Sequence, residues 1–180
     1  MKFRLKNKNN IRIDMSFLSR IQSCSIDKIK RMRINHGNKV REVKDLFFVT
    51  GSDINYIEII NSTRYLDNVG SSCDSKHFKI IGDVGYGLAK NMSGGSITLY
   101  GNAGESACSG MSGGIVKIFG STKNKFCCMP TGKNEGFIDG IVYVQKNVGD
   151  ESIIRMRRGN IIVGGNLGNN SCSEIIAGTV

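Results

Sequence analysis

A chain of 180 residues with 23 glycines, one proline and no tryptophan is long enough for one domain with a sizeable core, and it makes its turns with glycine. No apolar run approaches the roughly 18 residues of a membrane span. The N-terminus MKFRLKNKNNIRIDMSF has no apolar stretch ending in a small-residue cleavage site, so a cytoplasmic protein without a signal peptide is expected. The net charge of +10 suits an acidic partner or nucleic acid. Lys, Asn and Ile are spread through the whole chain, however, and no aromatic–basic interleaving supports a nucleic-acid partner, so none is expected.

In chain order, the stretch FLSRIQSCSIDKIKRMRI has scattered aliphatics that predict one or two short helices, with Ser25 as an N-cap before IDKIKRM. The densest basic run, KIKRMRINHGNKVREVK, follows at residues 28 to 44, and VREVKDLFFVTG then leads into a repeating region. Residues 1–54 are expected to form a short mixed or helical N-terminal cap and docking segment that covers an open strand edge.

From residue 55 onward the chain repeats itself. Met92 and Met111 both open MSGG, 19 residues apart, and the same step carries Phe137 (FIDG) to Met156 (MRRG) and on to Ile175 (IIAG). A β-rich run follows each opening. Its second residue is Phe78, Ile97, Val116, Val142 or Ile161, and its fourth is Ile80, Leu99, Ile118, Val144 or Val163. The residues between them (Lys79, Thr98, Lys117, Tyr143 and Ile162) vary freely, as one face of a half-buried strand does. Glycines fall in columns beside the runs, as at Gly82, Gly101, Gly120 and Gly165.

A unit of about 19 residues cannot bury its own apolar stripe, whereas stacked units can. The expected fold is therefore all-β: a single-stranded right-handed parallel β-helix of ~19-residue coils over residues 55–180, its last coil incomplete. Val180 falls on an inward position that would open a new strand, and an unpaired edge is expected there. A glycine loop for a nucleotide phosphate is excluded by context, because that motif is one turn followed by a helix, not a turn that recurs before strand after strand.

The six cysteines, at positions 24, 73, 108, 127, 128 and 172, have no metal-ligand spacing, and Cys127-Cys128 is read as a pair of reduced thiols. His36 and His77 lie far apart, with no clustered carboxylates and no nucleophile–base pattern around them. No catalytic residue, no metal site and no cofactor site are expected in this chain.

The coils of GG, strand, then G-x-x-G resemble the glycine-rich β-helix domain shared by glutamate synthase and the C-subunit of formylmethanofuran dehydrogenase. The similarity is closer to the latter, including its relative in the formyltransferase/hydrolase complex of methylotrophic bacteria. GNKVREVKDLFFVTG, STRYLDNVGSSC, the longer coil STKNKFCCMPTGKNEGF and IIRMRRGNIIVGGNLGNNSCSEIIAGTV carry the resemblance. Lys76, Lys123, Asp139 and Arg158 depart from the glycine pattern.

The resemblance implies a non-catalytic structural subunit of a C1-transfer complex, whose partners hold the catalytic sites. A glutamate-synthase-like domain and a stand-alone basic binding protein are the alternatives. For a scaffold, function lies on an outer face, and Thr98, Lys117, Tyr143 and Ile162 are the candidate partner-docking residues, with Tyr143 and Ile162 as anchors.

Overall fold

The computed structural model describes residues 1–8, 10–22 and 25–180. Of the six cysteines, Cys24 lies outside this set. The elements in chain order begin with β1 (Lys2–Leu5), β2 (Ile13–Asp14), α1 (Phe17–Arg20), α2 (Ile26–Lys30), β3 (Arg33–His36), β4 (Lys39–Glu42), α3 (Val43–Leu46) and β5 (Phe47–Thr50). They continue with β6 (Tyr56–Ser62), β7 (Leu66–Asp67), β8 (His77–Gly82), β9 (Ser96–Tyr100), β10 (Ile115–Ile118), β11 (Ile141–Val144) and β12 (Asn160–Val163).

The architecture corrects the expected fold class. The chain is not a single-stranded right-handed parallel β-helix but a mixed α/β structure with two mixed-direction sheets. An eight-stranded sheet runs β12-β11-β10-β9-β8-β6-β1-β5, and a four-stranded sheet runs β4-β3-β2-β7. Two observations overturn the expectation. First, the N-terminal region supplies strands to both sheets: β1 lies parallel to β6 and antiparallel to β5, while β2 pairs parallel with β7 and antiparallel with β3. Second, each repeat from β8 onward contributes one named strand. The second inward run forms only isolated bridges, such as Ala103 to Thr122 and Val148 to Leu167.

Within the large sheet the 19-residue spacing sets the pairing. Phe78 lies opposite Ile97, Ile97 opposite Val116, Val116 opposite Val142 and Val142 opposite Ile161, all in parallel ladders. These residues are buried, as are Ile80, Leu99, Ile118 and Val144, while Val163 is half-buried. Each such aliphatic contributes about 1.5–3 kcal/mol when fully removed from water. The glycine column beside the strands follows from this stacking. A Cβ at Gly101 would collide with the Gly82 carbonyl oxygen, and one at Gly120 with that of Gly101.

The rest of each repeat turns by a device that composition does not announce. Residues two apart take left-handed φ: Ala89 and Asn91, Ser106 and Cys108, Lys125 and Cys127, Glu151, Ile153 and Arg155, then Asn170, Cys172 and Glu174. The cost is roughly 1–2 kcal/mol per non-glycine residue, greatest for a β-branched side chain such as Ile153. Hydrogen bonds from repeat to repeat hold the turn, with the Cys108 amide donating to Leu88 O (2.7 Å), Cys127 to Ala107 O (2.8 Å) and Ile153 to Phe126 O (2.7 Å). Beside it runs a ladder of short polar side chains. Asp83 Oδ1 accepts from the Asn102 amide at 2.8 Å, and Asn102 Oδ1 from the Ser121 amide at 2.9 Å.

The first 54 residues fold by local signals and then join the same core. Ser25 Oγ accepts from the Lys28 amide at 3.3 Å and starts α2, while Glu42 and Asp45 cap α3 reciprocally. Phe3 on β1 packs edge-on against Phe17 and Phe47, and one buried apolar cluster runs from Met1 to Ile161. Lys76, a departure from the glycine pattern, has a physical role here. It is 7% exposed, and its ammonium donates to the Ile21 carbonyl at 2.7 Å, tying the repeat region to the N-terminal one.

Candidate partner-docking face

The strands of the large sheet turn their alternate residues outward, so parallel pairing in register aligns those residues in columns. Thr98, Lys117, Tyr143 and Ile162 are successive members of one column, reached through β9, β10, β11 and β12. Lys117 and Ile162 are exposed, and Thr98 and Tyr143 half-buried. The geometry extends the column in the direction of β1: Glu58 pairs with Lys79, Lys79 with Thr98, and Lys2 with Glu58.

Flanking columns carry residues beyond the four expected anchors. On one side lie Tyr56, His77, Ser96, Ile115 and Ile141; on the other, Ile81, Tyr100 and Phe119. Tyr100 and Phe119 stack with ring centroids 5.0 Å apart, and Phe119 meets Tyr143 edge-on at 6.4 Å. Tyr56, Ile81, Tyr100, Ile115, Ile141 and Ile162 are all exposed, up to 62% at Tyr56. Scattered single apolar residues on a surface need no explanation, but six on one flat sheet face form a patch of the kind that marks a contact surface. Strand alternation carries the signal, since every second residue of SITLY, IVKIF and IVYVQ lies on this side.

At the β1 end the face becomes polar around a groove of about 460 Å³ lined by Tyr56, Glu58, His77, Lys79, Ser96 and Thr98 among others. Glu58 bridges Lys79 at 3.1 Å and Lys2 at 3.2 Å. The hydrogen bonds from Lys79 and then Lys2 hold its carboxyl below the usual range. His77 stacks on Tyr56 at 4.9 Å, and its Nδ1 lies 2.8 Å from Ser96 Oγ. Parallel register brings this serine and histidine together from positions 19 apart, a contact that linear spacing does not reveal. The carboxylate on the neighbouring column, Glu58, is held by two lysines and does not orient the ring.

The remaining sequence-predicted residues lie elsewhere. Cys73, Cys108, Cys127 and Cys128 are buried free thiols, and Cys172 is a half-buried one. Burial, with the adjoining Cys108, pushes the Cys127 thiol well above its ordinary range. Cys128 Sγ donates to Glu151 O at 2.7 Å. His36 sits on β3 in the small sheet, held low first by burial and then by Arg41. Among the described residues no group of three or more metal-binding side chains converges, and no helix is long and apolar enough to cross a membrane.

Comparison with known proteins yields one informative likeness. Neither a scan against protein-family models nor a search of curated proteins finds a match. Among solved structures, a chain of the formyltransferase/hydrolase complex (FhcABCD) from Methylorubrum extorquens, in complex with methylofuran, superposes with a TM-score of 0.77 at 21% sequence identity. The fold is shared. The alignment covers 99% of this chain and 75% of that one, so both the repeat region and the N-terminal strands have counterparts there.

Proposed function

We propose that this chain is a non-catalytic structural subunit of a C1-transfer complex of the formyltransferase/hydrolase type, the counterpart of its glycine-rich C-subunit. In this reading it positions catalytic partner subunits against the outer face of its large sheet. The likeness over 99% of the chain to a component of such a complex carries the proposal. The apolar columns at Tyr100, Tyr143 and Ile162 support it: they offer rigid anchors on a flat surface, and aromatic residues are enriched where interfaces concentrate their energy.

Co-expression with the other subunits of such a complex, followed by affinity purification, tests the proposal. The chain is expected to co-purify with them and, purified alone, to show no formyl transfer or hydrolysis. Tyr100→Asp and Tyr143→Asp place a charge in the apolar columns and should weaken the association about tenfold or more without unfolding the chain. Turnover by the isolated chain, or complete indifference of assembly to both changes, overturns the reading.

A further inference from the structure

The charge of this protein is unevenly distributed. Residues 1–54 hold 13 basic and 5 acidic side chains, a net +8 of the total +10. The five carboxylates are all engaged. Asp14 accepts from Ser16 and Asn68, Asp27 faces Lys30, Glu42 and Asp45 cap α3, and Asp53 accepts from the Asn55 amide. Among the described residues, none of the five lies within ion-pair distance of Arg33, Lys39 or Arg41.

Those three cations sit on one hairpin. β3 and β4 pair antiparallel across the two-residue loop Gly37–Asn38, with His36 opposite Lys39 and Asn35 opposite Val40. β4 ends the four-stranded sheet, so its far side is unpaired, and Lys39, Val40 and Arg41 are all exposed. In a two-residue hairpin the residues flanking the loop exchange the backbone bonds, so the next residue along turns its N–H and C=O away from its partner strand. That residue is Val40, 59% exposed between two cations.

We propose that β4 is an addition site for an extended acidic segment of a partner protein, which joins the small sheet as a fifth strand. Backbone groups of Val40 supply the ladder bonds, and Lys39 and Arg41 select carboxylates on either side of an apolar residue. Cations on an edge strand ordinarily bar pairing with another copy of the same strand. Here the same charges repel a second copy of this basic hairpin and admit an acidic segment. A protein fits better than a nucleic acid, since residues 25–46 contain no Phe, Tyr or Trp on which a base could stack. This site lies on the small sheet and is independent of the face described above.

The test uses the full chain and a fluorescein-labelled ten-residue peptide of alternating Glu and Val at low salt. A control peptide has the same charge and proline in place of two central valines, and a mixed-sequence single-stranded RNA is the second competitor. Saturable binding of the alternating peptide is expected, with the Val40 amide slowed in hydrogen exchange on binding. Lys39→Glu with Arg41→Glu should weaken it by about tenfold or more, and Val40→Pro should abolish it while circular dichroism stays unchanged. Because both variants alter exposed positions, the wild-type exchange signal at Val40 keeps the test decisive should either fold poorly. Equal binding of the proline control, an unchanged Val40 amide, no peptide binding, or tighter binding of the RNA each overturns the proposal.

Discussion

The six parallel strands from β6 to β12 and the first 54 residues pair their strands on different principles. Among the repeats a strand finds its neighbour one period away, and every contact restates the same spacing, as Val116 does between Ile97 and Val142. In the N-terminal region β1 finds β5 more than forty residues later and β6 beyond that, in opposite directions. Nothing periodic links those partners. Repetition makes a core that can be extended by addition, whereas the N-terminal strands close it by long-range contacts made once.

The largest way to break this contrast is a charge inside the ladder. Val116 is fully buried, with Ile97 and Val142 across its two ladders, while Lys117 beside it points to solvent. Val116→Asp buries an unpaired carboxylate, costing several kcal/mol against a total stability of roughly 5–15 kcal/mol. Loss of folded protein is expected by circular dichroism and solubility, while Lys117→Asp should fall within about 0.5 kcal/mol of the parent. Equal tolerance of the two changes would show that inward and outward positions have been exchanged.

The same contrast explains what was legible beforehand. Burial of Phe78, Ile97, Val116, Val142 and Ile161 was readable because one residue type recurs at one offset. The Ser25 cap was readable because capping chemistry is local. The fold class was not, because the pattern of residues 1–54 does not say that β1 lies between β5 and β6. The alternating left-handed turns were hidden as well, since they fall on Cys108, Cys127 and Ile153, not on glycine. On the docking face, one column was legible from strand alternation, but the Tyr100–Phe119 stack and the His77–Ser96 contact need the register to be known.

A second prediction sharpens the comparison by asking whether the two regions unfold together. Phe3 is fully buried in β1, edge-on to Phe17 and Phe47, and β1 is hydrogen-bonded to β6. Phe3→Ala removes a large aromatic from the shared core and should cost about 3–5 kcal/mol. If the N-terminal strands and the repeats form one cooperative unit, amides of β8 and β9 lose protection in hydrogen exchange along with those of β1 and β5. Loss confined to β1 and β5, with the repeats unmoved, would make the N-terminal region a separable cover.

The smallest expected effect lies at the seam where the two regions meet on the outer face, in the bridge of Glu58 to Lys79 and Lys2. One lysine comes from the repeats and the other from β1, so the carboxylate links both regions. Its folded-state pKa is depressed below the ordinary value of 4.5, first by the hydrogen bond from Lys79 and then by that from Lys2. A group depressed on folding binds its proton more tightly in the unfolded chain, so acid favours unfolding. The stabilisation is fully present above about pH 4.5 and fades as pH falls through the folded-state value. Glu58→Gln removes this dependence while keeping the shape of the side chain. Unfolding midpoints of the two proteins should differ most near neutral pH and converge under acid, and the difference should shrink in high salt because the bridge is exposed to solvent. A gap between them that stays constant from pH 7 to below pH 4 would mean that the lysines do not favour the charged form of Glu58, and that β1 is held to β6 by its backbone and by Phe3 alone.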